Sequence, residues 1–124
     1  MDTSRQYVNM CRAAREIQES WPLTAWEKDS WFSDGDGIFN ALERRVCSDS
    51  VWLCRQDQLQ EMMGLPIDTL WNDFSVWVEV RVIAGNGDYR LREYKSFEQL
   101  WLAFVMANKF NKEWDGSDWV PTPS

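Results

Sequence analysis

A chain of 124 residues, 44% hydrophobic and 27% charged, has the size and composition of one folded domain over 1–124, not of a disordered segment. Its net charge of −7 argues against non-specific nucleic-acid binding, because phosphates must be neutralised by Lys or Arg, and no apolar run is long enough to cross a bilayer. With no histidine and only Cys11, Cys47 and Cys54, the chain falls short of a structural zinc site. An odd cysteine number and an opening without the order of a secretion signal point to a reducing cytoplasm.

Residues 5–19 predict the first helix. Val8, Cys11, Ala14, Ile17 and Gln18 fall at helical spacing, Ser4 can cap the start, and Trp21-Pro22 ends the run because a residue before proline leaves the α region. Residues 21–37 read as irregular chain, pinned to the body by Trp26, Trp31 and Phe32 or used as a binding loop. Residues 38–47 read as a short helix with Ile38, Phe39, Leu42 and Val46 as its stripe. Val51-Trp52-Leu53-Cys54 is an apolar run suited to a buried strand or an extended linker. Asp57 with Gln60 makes a capping box for a helix over 58–63, and Gly64 is placed as its C-cap.

Pro66 suits the first turn of another helix, whose stripe is Ile67, Leu70, Trp71, Phe74, Trp77 and Val78. Residues 75–83 also alternate, with Val76, Val78, Val80 and Val82 on one side, and 85–88 form a good hairpin turn. A helix through Phe74 followed by a hairpin, and one helix continuing to about residue 82, both satisfy the pattern. Ser96 with Gln99 makes a second capping box, for a helix apolar over so much of its surface that it should be central. Trp114 to Trp119 reads as a turn between two tryptophans, a tiny hairpin or a strap over the core. These elements predict a mainly helical α+β domain of four to five short helices packed with a small β hairpin.

Nine tryptophans are more than a core of this size is expected to bury completely, so some should lie in a contact surface. The binding candidates are Trp26, Trp31, Trp114 and Trp119. A calcium loop laid over residues 32–43 places Asp34, Asp36 and Glu43 as ligands and Gly37 at the sharp turn, but its first position is Phe32, which cannot ligate. Asp36 as a helix cap is the simpler reading. Without histidine there is no Ser-His or Cys-His pair, and Cys54 beside Arg55 fits an apolar position better than a reactive one.

Three segments, Cys11-Arg-Ala-Ala-Arg-Glu-Ile-Gln18, Trp52-Leu-Cys-Arg-Gln-Asp-Gln-Leu-Gln-Glu-Met-Met63 and Phe97-Glu-Gln-Leu-Trp-Leu-Ala-Phe-Val-Met106 with the later Trp114–Trp119 turn, resemble an uncharacterised group of small acidic proteins encoded by bacterial phages and prophages. That resemblance implies an origin and carries no assigned activity. Cys54 stands where the group would have proline. The expectation is a non-catalytic protein that binds another protein, a host protein if the origin holds, with no cofactor, no direct nucleic-acid contact and no membrane. The alternatives are an inhibitor that mimics nucleic acid with its carboxylates, and a small-ligand module that uses its rings as a stacking platform.

Overall fold

The computed structural model describes residues 2–20, 30–34, 37–40, 50–83 and 94–121. The domain is mainly helical, with a three-stranded sheet and a separate hairpin. Its centre is helix α5, Phe97–Phe110, in which Gln99 to Met106 are all buried. So long an unbroken buried run leaves no polar face. Around it pack α1, Arg5–Ala13, and α3, Gln56–Met63, while the hairpin of β4, Lys112–Trp114, and β5, Trp119–Pro121, follows directly.

One long N-terminal helix is not what forms. The chain breaks at Ala14, with ψ 69°, and α2 resumes at Arg15–Ser20. The cause lies far along the sequence. The indole N–H of Trp119 donates to the Met10 carbonyl (2.9 Å), and the Ala14 N–H is shared between that carbonyl and Cys11's, both at 3.2 Å. The indole shares the Met10 carbonyl with the Ala14 N–H rather than displacing it, and a carbonyl tilted toward a second donor is an ordinary origin of a kink.

A second correction concerns residues 31–40. Trp31–Ser33 forms β1 and Ile38–Asn40 forms β2, antiparallel with Phe32 opposite Phe39. Residues 31–33 of the expected irregular chain and the start of the expected 38–47 helix are thus paired strands; 21–29, 35, 36 and 41–49 lie outside the described residues. Asp34 closes the turn, its N–H donating to the Gly37 carbonyl (3.3 Å) and its Oδ1 accepting from the Gly37 N–H (3.1 Å). Both phenylalanines are buried and their rings stack at 5.9 Å, a cross-strand pair that a helix start would lose. The apolar run at 51–53 is the third strand, β3 (Val51–Leu53), fully buried on the other side of β1.

Helix α3 begins two residues before its expected start. The Arg55 N–H donates to Gln58 Oε1 (2.9 Å), so the cap runs one way and uses Gln58 rather than Gln60, and Asp57 pairs with Arg55. Gly64 ends it at φ 64°, a left-handed conformation that glycine adopts without a Cβ penalty. Helix α4, Ile67–Trp77, then runs without interruption into a π-helical extension, Val78–Ile83. Of the two readings for this stretch, the continuing helix is the one formed; the 85–88 turn lies outside the described residues.

Ser96 caps α5 by accepting from the Gln99 N–H (3.2 Å). The Gln99 side chain does not complete the box. It is fully buried, accepts from the Lys95 N–H (2.9 Å) and Gln6 Nε2 (2.8 Å), and donates to Asp2 Oδ2 (2.8 Å), which also accepts from the Ser96 hydroxyl (2.5 Å). The N-terminal segment is thereby clasped to the start of the central helix.

Candidate functional site

The candidate tryptophans divide sharply. Trp114 and Trp119 are buried, their rings 5.2 Å apart across the hairpin, so neither is an exposed anchor. Trp31 is partly buried on β1, and Trp26 lies outside the described residues. Of the calcium candidates, Asp34 is a turn residue with Oδ1 already engaged, while Asp36 and Glu43 lie outside the described residues. Among the described residues no three His, Cys, Asp or Glu side chains cluster as metal ligands, and no helix is long and apolar enough to cross a membrane.

Cys11 and Cys54 are both buried free thiols. Burial pushes the Cys54 thiol well above its ordinary value, and the neighbouring Cys11 adds to that shift. The adjacent Arg55 guanidinium turns instead to Asp57 (3.0 Å). A buried, protonated thiol is a poor nucleophile. Tyr7, also buried, donates its hydroxyl to the Cys54 carbonyl (2.5 Å), and burial raises its phenol as well. This inner cluster holds α1 against the end of β3.

The exposed aromatic surface is elsewhere. On α4, Leu70 and Phe74 are buried and Trp77 is packed against the core. Ile67 and Trp71 continue the same apolar stripe, yet they are 85% and 67% exposed. The stripe is wider than the surface that covers it. Phe74 stacks face to face on Trp101 of α5 at 3.9 Å, and Trp77 meets Phe104 edge-on at 5.6 Å. Phe74 also meets Phe104 edge-on at 5.3 Å, so these four rings form one packed cluster between the two helices. One turn back on each helix come Trp71 and Phe97, and Phe97 is 65% exposed. Ile67, Trp71 and Phe97, each about one turn along its helix from a packed residue, make up an exposed apolar crown. Trp71 is the tryptophan that sequence reasoning passed over: it sits in a regular stripe, and the period alone does not tell a packed position from an uncovered one.

Beside Phe97, Lys95 begins a second feature, a groove of about 1190 Å³ between α1–α2 and the β4–β5 hairpin. Its lining holds five of the chain's 13 Lys and Arg residues against three carboxylates, although the chain as a whole is acidic. Each of those carboxylates has at least one donor, although Glu16 Oε2 is buried with none among the described residues. Glu16 accepts from Lys112, which holds its carboxyl below the ordinary range. Asp115 accepts from the Ser117 and Asp118 N–H groups at 2.8 and 2.7 Å, which lowers its carboxyl too, and Asp118 accepts from the Trp119 N–H at 2.8 Å. Arg5, Arg12 and Arg15 form no ion pair with any described residue.

Comparison of the chain with protein-family models, with curated proteins and with solved structures finds no match.

Proposed function

We propose that this chain is a non-catalytic protein-binding domain, and that Trp71, with Ile67 and Phe97, is where it grips its partner. The carrying observation is the exposure of Trp71 within an apolar stripe that α5 covers only in part. Large rings that stay out of the core are the residues most enriched at binding hot spots. A cytoplasmic host protein as the partner, and a phage or prophage origin, rest on the resemblance of residues 11–18, 52–63 and 97–106. Burying three such side chains is worth about 5–8 kcal/mol gross. Ordering two molecules into one costs about 4 kcal/mol or more. The apolar crown alone thus gives weak binding, and a tight complex needs contacts beyond it.

The test is capture of partners from host lysate at about 0.15 M salt, with wild type, Trp71→Ala and Ile67→Ala run side by side and bound proteins identified by mass spectrometry. One partner retained by wild type and lost by both variants supports the reading. A partner retained equally by all three places binding away from α4. Light scattering of the purified protein separates a further outcome: a dimer dissolved by the same substitutions reassigns the crown to self-association.

A further inference from the structure

The groove beside the crown points to the chemistry of what the partner presents. We infer that the groove between α1–α2 and the hairpin takes an acidic peptide segment of the protein partner, with Arg5, Arg12 and Arg15 forking onto its carboxylates; this deepens the protein-binding reading and rests on it. Arg5 and Arg12, two turns apart, share the solvent face of α1, opposite buried Met10 and Cys11. The break at Ala14 sets Arg15 at the start of α2, and all three line the groove. Arg5 and Arg12 alone span about 10 Å along α1, the reach of roughly three residues of extended chain, and Arg15 extends the row past the break. One small anion does not fill that length or a volume near 1190 Å³.

Two arguments favour carboxylates on a peptide over a nucleic acid. Among the described residues the only aromatics lining the groove are Trp114 and Trp119, both buried, so none of these offers bases an exposed stacking platform. The net charge of −7 repels a polyphosphate along its whole length. A short acidic segment meets mainly the local field, because charges beyond about 8 Å are screened at physiological salt. Arginine also pairs bidentately with carboxylate, and these three guanidinium groups form no ion pair with any described residue, Arg12 holding only a long hydrogen bond to Asn9 (3.4 Å). Lys95, which lines the groove, is two positions before exposed Phe97, which sets the groove close to one member of the apolar crown. The acidic chain therefore meets its partner through a locally basic groove, the reverse of what net charge alone suggests.

The experiment measures fluorescence anisotropy with labelled octaglutamate, octalysine and thymidine octanucleotide, each titrated with the full chain at about 0.05 and 0.15 M salt. The expected result is saturable octaglutamate binding, weakened at least about tenfold in Arg5→Ala/Arg12→Ala/Arg15→Ala and restored in part by the triple lysine variant. All three positions are solvent-facing, and circular dichroism checks that the variants stay folded. No octaglutamate binding, or binding unchanged in the triple alanine variant, overturns the inference. So does oligonucleotide binding as tight as octaglutamate's, which assigns the groove to nucleic acid. Octaglutamate reads the groove alone and lysate capture reads the Trp71 end, so failure of the groove leaves the protein-binding reading standing, and the converse.

Discussion

The β4–β5 hairpin and helix α4 are both rich in tryptophan for their length, and they use it in opposite ways. In the hairpin, Trp114 and Trp119 turn inward, and Trp119 carries its N–H to a carbonyl of α1. On α4, Trp71 points outward while Phe74, one turn on, stacks on the core. The difference lies in how many elements surround each. The hairpin lies against α5 and α1, whereas α4 rests on α5 through a few rings along one edge. A ring needs cover on two sides to be core. With cover on one side it becomes surface, whatever the periodicity of its helix.

Substitutions sharpen this contrast. Phe104→Ala removes a fully buried ring that Phe74, Trp77 and Trp101 all touch, and should lower unfolding free energy by about 3–5 kcal/mol in urea titration. Trp119→Phe keeps most of the ring but loses the bond to Met10; a loss of about 1–2 kcal/mol is expected, with the α1–α2 break relaxing toward continuous helix by amide NMR. Acid should loosen the N-terminal clasp. Burial pushes the Asp2 carboxyl up, but hydrogen bonds from Ser96, Ser4 and Gln99 outweigh it and leave it below 3.8. A carboxylate depressed in the folded state stabilises above its unfolded value, and that contribution disappears as pH falls through the folded value. Thermal melts should therefore show stability dropping below about pH 4, and Asp2→Asn should flatten the drop, at a cost near neutrality of about 1 kcal/mol. Smallest of all, Trp71→Ala should shift stability by no more than about 0.5 kcal/mol while abolishing partner capture. A large stability loss there would show that Trp71 is core after all and erase the contrast.

Much of the helical frame was legible from residues. Ser96, the breadth of apolar positions after it, and Gly64 each marked an end or a centre through local chemistry that the fold retains. Of the small sheet, Val51–Leu53 was legible as an apolar run suited to a buried strand, but β1 and β2 were not, because three-residue strands have too little length for alternation to separate from a helical stripe; Ile38 and Phe39 fit both. The break at Ala14 was hidden for a different reason: its cause, Trp119, sits 109 positions from Met10. The arginine stripe of the groove was visible only as scattered charge, since the hairpin that walls it is brought there by tertiary packing. Trp71 was in plain view within its stripe, but the width of its cover depends on the partner helix.

The clasp between Asp2 and the start of α5 has a consequence for how the chain reaches its structure. It joins positions 97 apart, and the Trp119 bond joins positions even further apart. Bonds that close so long a loop repay its entropy only after the intervening chain is already compact. Helix α5 and its neighbour α3 can therefore assemble first, with α1 docking onto a nearly finished body. Substitutions at Asp2 and Trp119 should then speed unfolding while leaving the folding rate almost unchanged.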